Sequence, residues 1–532
     1  MRASTDLEPI NGPVRLGFGS LIPVGVAAVT LLAVWLLGRS DTHIGFPLDD
    51  AWIHMVYGRG LLADGVLAYN PGIAATGSTA PLWAVVLAAL HFGFARFSVD
   101  AVVASVLVVG AVLHILGAYL VARLVVACGG SRRAGLIAGV LYGASPPLAA
   151  AAFSGMEVGL CAVLMVAGVR ECASGRLWRA GVWLSLAVAT RPEVAAVGLA
   201  CAILLAIRQG GAANDQPNSA RDRLLSLWRL ALPAAVVAVV WGGYNLVASG
   251  RPLPSTFYLK EATSLLALPQ RLSAGVAGLL GQVPPMYGFV GWFALVGYAA
   301  RPTALMMYPL LAGLSFLVAN LLVAPPLDSE AFYHLRYLLP AVAPLIVALA
   351  LGAERAGTWL PPKWRVAPLV SLLGVGLLGV GSTLGPVARH FHNDVCNINE
   401  VQRSMGEWLR DNVPADRWIA ASDAGAVRYF SQRSTLDMMG LNTPMLYWQA
   451  PEYARERSVG AIAVMEEWFR TDGDTVRILA EMDTADYTVT SNPKMSRQQI
   501  LGCEASPGQT TRLRFQGKHT VDLFCQALDL GQ

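Results

Sequence analysis

Apolar runs of membrane-crossing length recur along the chain, and no other feature of the sequence restricts its fold so severely. A helix needs about 20 residues to cross roughly 30 Å of hydrocarbon. Inside hydrocarbon every backbone donor and acceptor must be satisfied within the segment or in a closed barrel, so continuous apolar runs of that length specify helices. The first covers 16–38 and lacks a small-residue cleavage site, which reads as a retained span. Others follow near 99–123, 134–153, 157–173, 230–248, 284–300, 303–324, 337–352 and 366–385, with two short ones at 180–191 and 193–207. The expected fold is a polytopic α-helical membrane protein with about eleven spans. Composition agrees, because 55% of the residues are hydrophobic and only 14% charged, at a mean hydropathy of +0.51. Soluble domains carry roughly 25% charged residues. A formal charge of +4 gives no reason to expect nucleic acid, and the partner the composition does imply is the lipid bilayer.

Basic residues set the expected orientation. Arg123, Arg132 and Arg133 fall in one loop, Arg170, Arg176 and Arg179 in the next alternate one, and Arg208, Arg221, Arg223 and Arg229 in a third. Cytoplasmic loops carry the excess of Lys and Arg. All three become cytoplasmic if the short apolar stretch 81–97 lies at the outer interface and does not cross. The N-terminus is then inside, and the loop 45–83 and the C-terminus are outside.

From about residue 390 the sequence turns mixed and polar, with alternating stretches at 417–421, 487–490 and 511–515 and helix-like runs at 398–412 and 457–470. The expected division is a membrane domain over 1–389 and a small extracytoplasmic α/β domain over 390–532. Cys128, Cys161, Cys172 and Cys201 lie in apolar runs and read as small buried residues. Cys396, Cys503 and Cys525 fall in the exported part, where a Cys503–Cys525 disulfide is expected.

The loop 45–83 holds the acids Asp49 and Asp50 beside His54, Tyr57 and Arg59. Pro47 and the acids suit a helix start and Gly65 its stop, so a helix of about three turns is expected. Helical spacing puts Asp50, His54 and Tyr57 on one face. One reading makes the acids mere caps of their own helix; the other makes them functional, since a structured polar loop of this length is usually a working one. Further polar motifs fall at the same outer end: Gly155-Met156-Glu157, Arg191-Pro192-Glu193, the stretch 251–261 with Tyr258 and Lys260, and Tyr333, His334, Arg336 and Tyr337. A charge at membrane depth costs on the order of 2.5–3.5 kcal/mol, so such residues mark sites by default. The structural alternatives are a Glu157–Arg191 bridge, interfacial snorkelling by Lys260 and Arg336, and membership of the aromatic belt for Trp52, Tyr258 and Tyr333. His54 and His334 read as hydrogen-bonding partners and not metal ligands.

Leu48-Asp49-Asp50-Ala51-Trp52-Ile53, Tyr57-Gly58-Arg59, Tyr69-Asn70-Pro71-Gly72 and the run 77–83 (GSTAPLW) resemble the first extracytoplasmic loop of GT-C glycosyltransferases. The resemblance is to the bacterial branch that includes the mycobacterial terminal arabinofuranosyltransferases. It recurs at Gly155-Met156-Glu157, Arg191-Pro192-Glu193, the run 253–258 (LPSTFY) and Arg336-Tyr337, and the family's tail domain is resembled at Asp423, Gly425, Tyr429, Asp437 and Gly440-Leu441. It implies an inverting enzyme of the bacterial plasma membrane. Such an enzyme moves a sugar, arabinofuranose or another pentose or hexose, from a polyprenyl-phosphate donor to a cell-envelope glycan acceptor. Transfer needs a base for the attacking hydroxyl and cations for the departing phosphate. Asp49 aligns with the first acid of the family's pair and is the expected base, with Asp50 orienting the sugar or a metal. Lys260, Arg336 and Arg191 are the expected phosphate partners, and Tyr258, His54, Tyr57, Arg59, Glu157, Glu193 and His334 complete the expected donor site. No metal site is expected from spacing and no cofactor is assigned, although a divalent cation stays open. The competing reading is a transporter or flippase for a lipid-linked substrate. It would call for paired half-repeats and midplane polar groups, and the sequence has no visible repeat.

Overall fold

The computed structural model describes residues 21–40, 43–210, 220–259, 302–323, 336–443 and 459–465, with short pieces at 269–270, 273, 297–298, 453, 456–457, 469–471, 476–483, 497–503, 510–515 and 519–524. In chain order the helices of the bundle are α1 (Leu21–Gly38), α2 (Asp49–Asp64), α3 (Pro81–Phe94), α4 (Val99–Ala127), α5 (Arg132–Gly143), α6 (Pro146–Ala152), α7 (Val158–Ala173), α8 (Leu177–Val188), α9 (Val194–Gly210), α10 (Ala220–Ser249), α11 (Ser255–Leu259), α12 (Ala304–Val323), α13 (Leu339–Gly357) and α14 (Ala367–Asn397). Six of them, α1, α4, α10, α12, α13 and α14, are long and apolar enough to cross a membrane. The expected span at 134–153 is broken: α5 and α6 bend by 61° and together make a seventh candidate. Pro146 and Pro147 explain the break, because a proline removes a helix hydrogen bond and keeps the residue before it out of the helical region. The stretch 81–97 is a 14-residue helix, α3, too short to cross. Among the described residues six or seven helices pass this measure against the eleven expected; the expected spans at 157–173, 180–191 and 193–207 are the shorter helices α7, α8 and α9, and the one at 284–300 lies almost wholly outside the described residues.

The outer loop is a folded unit. After α2 comes a small antiparallel pair, β1 (Ala68–Asn70) and β2 (Ile73–Ala74), and then α3. Gly65 ends α2 at φ 71°, as expected, but the helix has 16 residues and is longer than three turns. Trp52, fully buried, packs on Phe46, Tyr429 and Phe430 and so is not a belt residue.

Helix α14 does not stop at the membrane. It runs through a π turn (Ile398–Arg403) into α15 (Ser404–Asn412) and carries the C-terminal sheet domain on its end. That domain contains β3 (Trp418–Ala421), α16 (Ala426–Ser431), β4 (Thr435–Asp437), β5 (Val459–Met465), β6 (Phe469–Thr471), β7 (Val476–Asp483), β8 (Arg497–Cys503), β9 (Thr510–Phe515) and β10 (His519–Phe524). One sheet has the order β4-β3-β5-β8-β7, parallel across the first three strands and antiparallel beyond, and a second has the order β10-β9-β6. The helix expected over 457–470 is instead the central strand β5 followed by β6. Every residue of β5 is buried, and a strand covered on both faces is a continuous apolar run that period alone does not separate from a helix. The Cys503–Cys525 pairing and the strand expected at 487–490 lie outside the described residues.

Candidate functional site

Helix α2 sits between the bundle and the sheet domain, and its two adjacent acids point to different partners. Asp50 faces the bundle. Its side chain is 41% exposed and its Oδ2 lies 3.0 Å from Nη1 of Arg336, which stands just before α13. Arg336 also donates from Nη2 to the Tyr337 hydroxyl at 3.0 Å, and its guanidinium lies 4.9 Å from the Tyr337 ring. The guanidinium of Arg191 lies 5.2 Å from that same ring, so Tyr337 separates two cations. Arg191 then meets Glu157 Oε1 at 2.7 Å, and Glu157 Oε2 lies 3.3 Å from Nε2 of His54. His54 is one turn along α2 from Asp50, which closes a ring of six residues: Asp50, Arg336, Tyr337, Arg191, Glu157 and His54.

Apart from His54, which lies within α2, each member is delivered by a helix end or break. Glu157 is the N-cap residue of α7, Arg191 stands in the break between α8 and α9, and Arg336 and Tyr337 precede α13. Charged groups at such positions are satisfied by one another or by a wet cavity. The Glu157–Arg191 bridge anticipated as a structural alternative is present, with both side chains buried. Burial alone would raise the Glu157 carboxyl, but Arg191 and His54 outweigh it and hold the group well below the ordinary carboxylate range. The bridge is fixed and charged, whereas the Asp50–Arg336 pair lies at the open side of the ring.

Asp49 faces the other way. Its carboxylate accepts from the backbone N–H of Gly425 and of Ala426, both at 2.7 Å, at the start of α16 in the sheet domain. The alternative that the acids merely cap their own helix does not hold, since α2 has Leu48 as its N-cap residue and no side-chain capping bond. Around Asp49 the loop and the domain are joined by further bonds. Tyr69 donates to the Ala424 carbonyl at 2.6 Å, Asn70 and the Thr435 backbone exchange two bonds, and Arg428 reaches the Tyr69 carbonyl. Arg59 belongs to this contact and not to the ring: it donates to the Tyr429 carbonyl at 3.0 Å and stacks 4.5 Å from the Tyr429 ring. Tyr57 is buried lower on α2 beside Tyr69 and Gly77.

Tyr258 is 38% exposed under Arg251, and its hydroxyl accepts weakly from the Leu253 N–H at 3.4 Å. The start of α11 is tied to the loop by Thr76 and Ser255, whose hydroxyls lie 2.6 Å apart. Glu193, partly buried, is a neighbour of the ring, since its charge contributes to the field on the Arg191 guanidinium. Lys260 and His334 lie outside the described residues. In the sequence Asp423 stands out only as part of the tail motif. It accepts from Gln402 and Gln498 at 2.9 and 3.0 Å, and burial, with Asp50 and Asp437 nearby, pushes it up to about 6 against the pull of those amides. Nothing in the local sequence pairs Asp423 with acids some 370 positions earlier. Among the described residues no three His, Cys, Asp or Glu side chains are grouped to hold a metal ion.

Residues 396–523 match a family model described as a domain of unknown function (DUF8728). No curated protein matches the chain. Among solved structures, the chain is similar to ArnT from Cupriavidus metallidurans in the apo state, at 12% identity and a TM-score of 0.56, covering 91% of this chain and 98% of that one. The same protein bound to undecaprenyl phosphate gives 12% identity and 0.56 over 90% and 97%. The Archaeoglobus fulgidus oligosaccharyltransferase complexed with Zn and sulfate gives 14% identity and 0.55 over 82% and 67%. At such identities what is shared is the fold. The architecture shared with them is the one expected, a multi-pass helical bundle with a small C-terminal sheet domain.

Proposed function

We propose that the chain is an inverting glycosyltransferase of a bacterial plasma membrane. It moves a sugar from a polyprenyl-phosphate donor to an extracytoplasmic cell-envelope glycan, with Asp50 as the base. The observation that carries this reading is Asp50, whose side chain is 41% exposed while it pairs with the buried guanidinium of Arg336 at the open side of an otherwise closed ring. An acid that takes a proton must be reachable, and a cation beside it must be able to meet phosphate. Asp49 aligns with the family's base by resemblance, but its two oxygens are engaged by backbone amides. The acceptor hydroxyl attacks the anomeric carbon, its proton passes to Asp50, and the bond from that carbon to the phosphate oxygen breaks. Arg336, with Lys260 and Arg191, balances the charge left on the polyprenyl phosphate. Fold-level likeness to a protein solved with undecaprenyl phosphate supports this donor class. Arabinofuranose as the sugar rests on the loop motifs alone.

The test is to incubate the purified protein with a panel of polyprenyl-phosphate sugars and measure released polyprenyl phosphate. Release is expected from at least one donor, and Asp50→Asn should lower it by the roughly 10²- to 10⁴-fold credited to proton transfer. Movement of the lipid across liposomes without any release would make the chain a flippase and end the enzyme reading.

A further inference from the structure

We propose that Asp49 is a positioning residue, and that through it the C-terminal sheet domain sets the placement of Asp50 and is an integral part of the reaction site. This rests on the glycosyltransferase reading above. Three observations converge on it. Both Asp49 oxygens are held, at 2.7 Å each, by the Gly425 and Ala426 amides of the sheet domain, while Asp50, the next residue on the same helix, pairs with Arg336 of the bundle. Helix α16 packs both ways: Ala426, Tyr429 and Phe430, with Ala424 just before it, belong to the hydrophobic core of the bundle, and Val427 to that of the sheet domain. The sheet has a separate core built on Val401, Met405, Leu409, Ile419, Ala461 and Ile500. Finally, the approach of the two backbones leaves no room at Gly425, where an added Cβ would strike the Asp49 carbonyl and stand 2.7 Å from both carboxylate oxygens.

The physical consequence is a lever. Adjacent residues on a helix diverge by about 100°, so one acid fixes the rotation of α2 while the other is aimed by that rotation. Two charge-assisted bonds to rigid backbone are well suited to the fixing role, because they are short and strong. Displacing a reacting group by about 1 Å can cost on the order of 10²-fold in rate. Asn at position 49 keeps the volume of Asp but has one acceptor oxygen, so its amide nitrogen opposes one of the two N–H groups.

The experiment uses the full-length protein in nanodiscs and four variants: Asp49→Asn, Gly425→Ala, Asp50→Asn and the Asp49→Asn/Asp50→Asn double. Hydrogen exchange of the α2 amides is read first and needs no donor. Asp49→Asn and Gly425→Ala should each speed exchange over 53–58, with α4 and α7 unchanged as the folding control. In transfer assays both should lower kcat by about 10- to 100-fold at nearly unchanged donor KM. The double variant should be no slower than Asp50→Asn alone, because the effect of Asp49 passes through Asp50. Unchanged exchange in α2, or a double variant slowed by the product of the single factors, overturns the proposal. So does an Asp49→Asn variant as inactive as Asp50→Asn with α2 unperturbed, since that makes Asp49 the reacting group. If the wild-type protein releases phosphate from no donor, the function reading fails, while the exchange data still decide whether the sheet domain sets α2.

Discussion

Glu157 is buried and Asp423 partly buried, and the surroundings of these two carboxylates drive them in opposite directions. Glu157 is held ionised by Arg191 and His54, so its contribution to stability is present across neutral and mildly acidic pH. Glu157→Gln keeps the shape and removes the charge, leaving a buried guanidinium short of its partner. Breaking a buried pair from one side costs about 3–5 kcal/mol, which should appear as a lowered thermal midpoint in detergent. An unchanged midpoint would show that the bridge is stabilised by no more than an apolar pair. Asp423 is raised from 3.8 to about 6, so between those values the unfolded chain releases a proton that the folded one retains. Stability through this group therefore falls as pH rises from about 4 to about 6 and is level above. Asp423→Asn removes the penalty: its midpoint should exceed that of the wild-type chain at pH 7, and the gap should close on acidification toward pH 4. A gap independent of pH would mean that Asp423 does not titrate as its burial implies. Of the ring, Asp50, His54, Glu157, Arg191 and Arg336 were legible in the sequence because charges beside apolar runs stand out. The opposite facing of Asp49 and Asp50 was not, since it depends on amides at Gly425 and Ala426.

Elements were legible to the extent that their burial was one-sided or their ends were punctuated. The start and the Gly65 stop of α2, the short α3 and the break between α8 and α9 follow from proline, glycine and charge. Two elements were misread for physical reasons. The β5 run VGAIAVM is covered on both faces and so lost its alternation. The span near 366–385 and the helix-like run at 398–412 were expected as separate elements, but residues 386–397 join them into one helix because one side packs on the outer loop and the sheet domain. How closely helices approach is also invisible in an apolar run. At Gly110 of α4 an added Cβ would collide with the Ala152 carbonyl of α6, an approach of the kind small residues permit in membranes. Gly110→Ala must push the bent α5–α6 unit away from α4, for which overpacking costs of about 1–3 kcal/mol are typical. Calorimetry or tryptophan fluorescence on heating should show the loss. A stable Gly110→Ala variant would mean that α6 yields at its break with little cost.

At the scale of the whole molecule, contacts among the described residues bring one set of helix ends together. Arg336 before α13, Glu157 before α7 and Arg191 between α8 and α9 all meet at the ring beside α2, so these ends share a face with the sheet domain. At the opposite face Ser131, before α5, donates to Glu354 near the end of α13. The loops of that face carry Arg132, Arg133, Arg176 and Arg179, together with Arg355, Lys363 and Arg365. Cytoplasmic loops are the ones enriched in Lys and Arg, so the ring and the sheet domain are predicted to be extracytoplasmic. Reporter positions must be accessible, and Asp64 after the body of α2, Asp416 before β3 and Ser174 between α7 and α8 are all exposed. The cysteines at 128, 161, 172, 201 and 396 are buried and should give a low background. Asp64→Cys and Asp416→Cys should react with a membrane-impermeant maleimide in intact cells, and Ser174→Cys only after permeabilisation. If Ser174→Cys labels in intact cells while the other two are protected, the whole molecule is inverted. The ring would then face the cytoplasm, and a donor and acceptor on the outer side could not reach Asp50. If Asp64→Cys and Asp416→Cys differ from one another, the loop and the sheet domain lie on opposite sides. That result is incompatible with the bonds from Asp49 to Gly425 and Ala426 and would overturn the arrangement on which the site is built.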